Sequence, residues 1–469
     1  MEKTWAIAGL DLHLDVSGSR VRAGLEAALR DAVQAGRLAA GTRLPSSRTL
    51  AADLGIARNT VADAYNQLVA EGWLTARQGS GTRVAGIAAD LVAPPALPAA
   101  AEAGLPISYD LRAGSPDLSS FPRSAWLAAG RKALNAASSR ALGYGDSRGR
   151  PELRSALAGY LARARGVRVT PDRIVVCTGF TQALALLCQV LRERGATTMA
   201  VEAYSRREYA DILTSHGLTP AALPVDDSGA VLDPFPDAQA VLLTPAHQFP
   251  LGPALSAQRR ARAAQWAAAT GGLVIEDDYD GEFRYDRQPV GALQALAPEH
   301  IAYAGSASKT LVPGLRLGWL VLPAHLTGDV VGAKARADLH TGSLEQLTLA
   351  EFITSGRYDR HIRRSRLAYR RRRDRLLAAL AGNAPQVLVT GIAAGLHAIA
   401  ELPRGQTEEQ VVAGAAARGL AIEGLGAYAM SGQTHQPALV IGYATPPEHA
   451  FTAAIARLCA AVTSPRGDR

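Results

Sequence analysis

The sequence predicts a multidomain chain: a small helical module closed by a hairpin, then a larger α/β domain built on a doubly wound sheet, then a smaller α/β piece. Three observations carry this. Apolar residues recur at helical spacing near the N-terminus, a proline-rich stretch then breaks every periodic pattern, and six short apolar runs afterwards alternate with helical segments. A chain of 469 residues is too long for one ordinary core. The expected boundaries are 15–85 for the module, 86–107 for a linker and 108–465 for the rest.

In the module, Val21, Leu25, Ala28, Leu29 and Ala32 share one helical face, and the segment ends at Gly36. Gly41 to Arg48 makes a turn in which Ser46 can cap a short helix running to Leu54. Gly55 to Asn59 leads into a second helix, where Val61, Ala64, Tyr65, Leu68 and Val69 repeat at i, i+3, i+4, i+7 and i+8. Two short helices joined by a glycine-containing turn form a helix-turn-helix pattern. Trp73–Arg77 and Thr82–Val84 flank Gln78-Gly79-Ser80-Gly81, which is hairpin chemistry.

From Ala85 to Pro106 the chain offers little to bury and several stiffening prolines, so it reads as a partly extended linker. Beyond it, Ile174–Thr178, Thr198–Glu202, Ala240–Thr244, Leu273–Asp277, Ile301–Ala304 and Leu317–Leu322 read as strands. Their alternation with helices implies a mostly parallel sheet whose strand carboxyl ends form the ligand crevice. A last piece, about 386–463, again mixes strand and helix: Gly391–Glu401, a helix after Thr407, and Leu439–Ala444.

Chemistry gathers at the strand ends. The chain has only four lysines, and Lys309 follows the apolar run Ile301–Ala304, flanked by Ser306 and Ser308 with Arg316 nearby. A guanidinium keeps its proton, whereas a desolvated amine can lose it and form a Schiff base with an aldehyde. Two hydroxyls and a planar cation beside such an amine suit a phosphate. Upstream, Leu273–Asp277 runs into Asp278 and Tyr279, offering a carboxylate for a ring nitrogen and a phenol for a ring oxygen, as a pyridine cofactor requires. Cys177-Thr178-Gly179-Phe180-Thr181-Gln182 is a strand, a glycine and a helix start, whose free N–H groups bind phosphate and to which Thr181 and Gln182 add; an ordinary strand-to-helix turn reads the same way.

Taken together, Asp277-Asp278-Tyr279-Asp280-Gly281-Glu282-Phe283-Arg284-Tyr285 and Ser306-Ala307-Ser308-Lys309-Thr310 resemble the class I, fold-type I aminotransferases, in the version found in the MocR/GabR subgroup of GntR-type transcriptional regulators. Thr244-Pro245-Ala246-His247-Gln248-Phe249-Pro250-Leu251-Gly252 and the run from Ser343 to Arg364 resemble the same subgroup, and the N-terminal module resembles a GntR-type winged helix-turn-helix. The resemblance covers nearly the whole chain.

It implies a fold: a winged helix-turn-helix joined to an aminotransferase domain with large and small subdomains. It also implies pyridoxal 5'-phosphate as cofactor, with Lys309 as the Schiff-base lysine, Asp277 at the pyridine nitrogen, and Tyr279 and His247 near the 3-oxygen. Thr181, Gln182, Ser306, Ser308 and Arg316 are then the phosphate set. Tyr144 resembles the tyrosine that reaches the phosphate of a neighbouring subunit, which implies a homodimer, and Tyr204 is the candidate ring-stacking aromatic, in a segment shorter than the family's. In the module, Arg58, Asn59 and Thr60 start the recognition helix and face base edges, while Arg43, Arg48, Gly79 and Gly81 meet phosphate.

The formal charge of +8 and pI near 9.6 allow a polyanionic partner. Three cysteines without metal spacing read as reduced packing residues, so neither disulfides nor a metal is expected. The absence of a leader pattern and of a long apolar run predicts a cytoplasmic protein with no membrane partner.

The reading that joins these observations is a regulator that binds double-stranded operator DNA and holds pyridoxal phosphate in an effector domain. Where the family carries a carboxylate-binding arginine in Leu-Arg-Leu-Gly-Phe-Ala, this chain reads Leu439-Val440-Ile441-Gly442-Tyr443-Ala444. Valine offers neither donor nor charge, which favours sensing of pyridoxal phosphate itself, as in the pyridoxine-synthesis regulators of the subgroup. The alternatives are an amino-acid or amine effector held by another arginine, such as Arg206 or Arg207, or a working aminotransferase with an accessory DNA-binding domain.

Overall fold

The computed structural model describes residues 6–7, 10–11, 21–77, 81–86, 107–235, 237–285, 290–430 and 432–463. The chain divides into two compact units, Met1–Ala103 and Gly104–Arg469, with the division inside the proline-rich stretch. That stretch (87–106) and the wing tip Gln78, Gly79 and Ser80 lie outside the described residues.

In the first unit, helices Val21–Gln34, Ser47–Leu54 and Arg58–Ala70 precede antiparallel strands Leu74–Arg77 and Gly81–Val84. Leu25, Leu29, Leu50, Val61, Leu68, Leu74 and Val84 close one core. Ser46 Oγ accepts the Thr49 N–H at 3.1 Å, and Gly55 ends the helix in the left-handed region at φ 67°. The following helix starts at Arg58 with no side-chain cap, so its first N–H groups stay free of capping side chains.

The second unit is organised on a seven-stranded sheet. From one edge the strands are Ile174–Cys177, Gly318–Val321, Ile301–Ser306, Leu273–Asp277, Ala240–Leu243, Thr198–Glu202 and Thr219–Leu223. All run parallel except Gly318–Val321, which is antiparallel to both neighbours. Its start therefore lies on the same side as the carboxyl ends of the others, which brings Arg316 to that side. The inner strands are Val-, Ile- and Leu-rich and buried on both faces, as a sheet covered by helices requires. Helix Phe180–Glu193 covers one face and helix Pro151–Arg165 the other.

Two features differ from the sequence-based expectation. Thr219–Leu223 is an additional strand; Pro220 argues against a strand in sequence, but this one pairs on a single side, where a missing N–H is tolerated. Ile301–Ala304 continues through Ser306, pairing with Gly318.

The C-terminal lobe is a four-stranded antiparallel sheet, Leu388–Thr390, Ala398–Glu401, Ala438–Ile441 and Glu423–Gly424. Helices Glu408–Ala416 and Glu448–Thr463 pack on it. Helix Arg357–Asn383 contributes Tyr369, Leu376 and Leu380 to the same core.

Removing the Ser46 hydroxyl leaves an N-terminal donor unsatisfied. Ser46→Ala is expected to destabilise the first unit by about 1 kcal/mol, read as a lower denaturant midpoint of that unit in the full chain.

Candidate functional site

Three consecutive acids end strand Leu273–Asp277, and strand alternation sends them to opposite faces. Glu276 accepts backbone N–H groups from Leu293 and Gln294 at 2.8 and 2.9 Å. Asp278, on the same face, receives Arg165 Nε at 2.7 Å and the Tyr303 hydroxyl at 2.8 Å. Asp277 points the other way, into a cavity of about 290 Å³. Among the described residues its one side-chain hydrogen-bond partner there is the Tyr209 hydroxyl, which donates to Oδ2 at 2.8 Å. Burial pushes its carboxyl up to about 7, against the Tyr209 hydrogen bond.

Lys309 enters the same cavity from the turn after Ile301–Ser306. Its Nζ donates to Gly114 O. Burial lowers the amine to about 8, and the nearby Arg206 cation acts in the same direction, while Asp277 and Asp280 oppose them. An amine so placed is a far better nucleophile near neutrality than a solvated lysine.

The cavity also has a cationic wall. Arg316 sits in the left-handed region, φ 50°, and its guanidinium covers Gly179 just before helix Phe180–Glu193. A Cβ on Gly179 would stand 3.2 Å from Arg316 Nη1, a tight approach, and the φ of 106° there is itself one that favours glycine. Ser306, Ser308 and Thr181 line the same cavity. A helix N-terminus, three hydroxyls and a guanidinium form an anion cradle, with the amine and the buried carboxylate in the same enclosure. This donor set fits a pyridine aldehyde carrying a phosphate.

Of the residues singled out from sequence, Thr181, Asp277, Tyr279, Ser306, Ser308, Lys309 and Arg316 line this one cavity. His247 does not; it stands behind Tyr279, with Nδ1 2.9 Å from both the Tyr279 hydroxyl and Asp280 Oδ2. Gly395 leaves room for this cluster, since a Cβ there would lie 2.1 Å from His247 Cε1. Gln182 turns away as well. Its Oε1 accepts the Thr178 N–H at 2.8 Å and its Nε2 donates to Asp338 at 2.7 Å, the carboxylate that also pairs with the fully buried Lys334.

The expectation for Tyr204 as a ring-stacking residue is corrected. Its side chain packs into an apolar cluster with Phe249, Ile399, Tyr428 and Val440, and its hydroxyl donates to Thr434 O at 3.3 Å. Gln248 holds the Tyr204 backbone there, donating to its carbonyl at 2.7 Å. The aromatic rings lining the cavity are instead Phe180, Tyr209, Phe249 and Tyr279. Nothing in a linear pattern marks Phe180 or Tyr209, which reach the cavity from a helix start and from helix Arg207–Ser215. Tyr144 is 89 % exposed on the surface, in edge contact with His340.

Arg206 lines the cavity and is half-buried, whereas Arg207 lies outside it and donates to Ala427 O at 2.9 Å. Val440 is fully buried in the Tyr204 cluster.

In the first unit, Arg43, Arg48, Arg58, Asn59 and Gly81 are exposed and Thr60 is half-buried. The Arg43 side chain lies over Gly81, whose Cβ would be 3.1 Å from Arg43 Nε. Gly79 lies outside the described residues.

Residues 22–84 match the family of bacterial regulatory proteins, gntR family, and residues 108–412 match aminotransferase class I and II. The chain is similar to the pyridoxine biosynthesis transcriptional regulator PdxR of Corynebacterium glutamicum, 32% identical over 93% of this chain and 94% of that one. It is also similar to the probable rhizopine catabolism regulatory protein MocR of Rhizobium meliloti, 31% identical over 89% and 88%. Among solved structures, an archaeal alanine:glyoxylate aminotransferase matches with a TM-score of 0.69 and 25% identity, over 76% of this chain and 90% of that one.

Capture of an aldehyde needs the unprotonated amine, so the lowered Lys309 value has a direct readout. The rate at which added pyridoxal phosphate becomes fixable to Lys309 by borohydride is expected to rise with pH through a midpoint near 8. In Arg206→Gln the midpoint moves up, because a cation that disfavours the ammonium form is gone. A second expectation concerns Val440→Arg, which places an unpaired charge in an apolar cluster and should cost about 3 kcal/mol or more of stability, measured by denaturant unfolding.

Proposed function

Because the chain belongs to the gntR family of bacterial regulators, in the branch that carries a class I and II aminotransferase domain, we propose that it is a pyridoxal phosphate-dependent transcriptional regulator that senses the cofactor itself. The observation that carries the choice of effector is the burial of Val440 among Tyr204, Phe249 and Tyr428. An amino-acid effector would bring a carboxylate into the cavity, and Val440, buried in this apolar cluster, supplies no fork of donors to meet it. The similarity to a pyridoxine biosynthesis regulator over nearly the whole chain points the same way.

Bound pyridoxal phosphate supplies an aldehyde, a ring nitrogen and a dianionic phosphate. Lys309 offers the amine for the aldehyde, and Asp277, held by Tyr209, offers a buried carboxylate for the ring nitrogen. Arg316, Ser306, Ser308, Thr181 and the N–H groups at Phe180 hold the phosphate. Tyr279, set by His247 and Asp280, directs its phenol to the ring oxygen. The exposed Tyr144, with the exposed Leu142, Leu339 and Leu344, suits contact with a second copy, so the working form is a homodimer. In each copy the winged unit reads operator DNA in the cytoplasm, with Arg58, Asn59 and Thr60 toward base edges and Arg43 and Arg48 toward phosphates.

One observation favours a second reading. Arg206 lines the cavity beside Lys309 and can meet a carboxylate there, which would make an acidic amino compound the effector. Titration separates the two. Under the first reading, pyridoxal phosphate alone changes the operator affinity or footprint of the apoprotein, Lys309→Ala blunts the change, and amino acids leave both the spectrum of the bound cofactor and DNA binding as they were. An amino acid that shifts that spectrum and alters DNA binding, where pyridoxal phosphate alone does not, would establish the second. On the DNA side, Arg58→Ala is expected to relax base preference, and Arg43→Ala to weaken all sequences alike, in competition binding against random duplex.

A further inference from the structure

Helix Arg357–Asn383 has two faces of opposite character. Tyr358, Ile362, Ser365, Tyr369, Arg372 and Leu376 are buried at helical spacing. On the other side, Arg360, Arg363, Arg364, Arg370 and Arg371 are exposed. Residues 357–375 hold ten arginines against two aspartates. One aspartate, Asp359, is already paired with Arg163 at 2.7 Å. Of the arginines, Arg372 is spent on Asp117 and Glu448, Arg375 on Glu448, and Arg366 donates to Glu282 O. Among the described residues, Arg360, Arg363, Arg364, Arg370 and Arg371 have no ion-pair partner, although Arg371 Nε donates to Leu367 O at 3.2 Å and Arg360 Nη2 to Ser355 O at 3.5 Å.

A row of like charges three and four residues apart repels itself and lowers helix stability, and packing of the buried face has no need of it. The row runs about 16 Å along the helix axis. A duplex carries one negative charge per about 1.7 Å of its own axis, so the two densities complement each other.

We infer that this arginine face is a second DNA-docking surface, one that grips the phosphate backbone flanking the operator half-sites and carries no base recognition. The inference rests on the reading of the chain as an operator-binding regulator. It gives the effector domain a direct hold on DNA, so that whatever the cofactor cavity does to the position of this helix is felt in the length of duplex engaged. Arginine suits the task because its fork meets phosphate oxygens in pairs and never loses its charge.

The test uses the full chain loaded with pyridoxal phosphate and two duplexes, one ending at the outer edges of the half-sites and one extended by about two helical turns on each side. The parent is expected to bind the longer duplex more tightly and to protect the flanks in a hydroxyl-radical footprint. The variant Arg363→Gln/Arg364→Gln/Arg370→Gln/Arg371→Gln should lose this advantage, binding the long duplex roughly ten-fold more weakly, with a salt dependence flatter by about 2 to 4 in log–log slope. Its affinity for the short duplex should stay at the parental value. Equal parental affinity for both duplexes with unprotected flanks would overturn the inference without any variant. A variant that keeps the flank contribution but no longer self-associates would overturn it too, assigning the face to a second copy of the chain. Failure of the parent to bind either duplex would instead refute the regulator reading on which the inference rests.

Discussion

The second unit depends on how one strand disposes of three adjacent carboxyls. Burying a carboxylate without a partner is costly, and Leu273–Asp277 with its successor Asp278 buries three in a row. Two are satisfied inside the protein, Glu276 by backbone N–H groups and Asp278 by Arg165 and Tyr303. The third, Asp277, faces a cavity with a phenol as its side-chain donor and is held near neutrality by burial. What is left over on the cavity side is an acid awaiting a cationic ring nitrogen. The neighbouring strand delivers Lys309 to the same space, and the antiparallel strand beyond it delivers Arg316.

The same economy explains the second layer. Thr310 accepts the Tyr358 hydroxyl at 2.8 Å and its carbonyl meets His361, so the residue after the lysine is tied to the long helix. Tyr279 is tied to His247 and Asp280, and His397, pushed down to about 3 chiefly by burial and then by His247, stays a neutral ring against Phe249. Cavity-lining Tyr279 is thereby fixed by His247 and Asp280, which do not line the cavity, while His397 and Phe249 line it together, and such support is how a site keeps its geometry. The long helix shares in this, since its buried face holds Thr310 while its exposed face carries the unpaired arginines.

Val440 is packed in an apolar cluster with Tyr204, Phe249, Ile399 and Tyr428. An arginine there would need space and an anion; valine allows the strand Ala438–Ile441 to close on Tyr204 and Phe249. Tyr204 then serves packing between the large sheet and the C-terminal lobe, and the cavity is lined by Phe180 and Tyr209, whose rings lie 5.1 Å apart.

Local pattern determined much of this protein. Helical periodicity marked the three helices of the first unit, apolar runs marked six strands of the large sheet within a residue or two, and residue chemistry at strand ends marked seven of the cavity-lining side chains. Those features are written in neighbouring residues, because period and strand termini are local properties. Tertiary structure alone decided the rest. Thr219–Leu223 pairs at the sheet edge, where Pro220 is tolerated, and Gly318–Val321 runs antiparallel to both of its neighbours. Gln182 turns to Asp338, 156 residues away, and Tyr204 to Val440, 236 positions on, while Arg206 rather than Arg207 reaches Lys309. Each of these joins partners distant in sequence, through backbone pairing, apolar packing or a hydrogen bond, and no short window of sequence contains both partners.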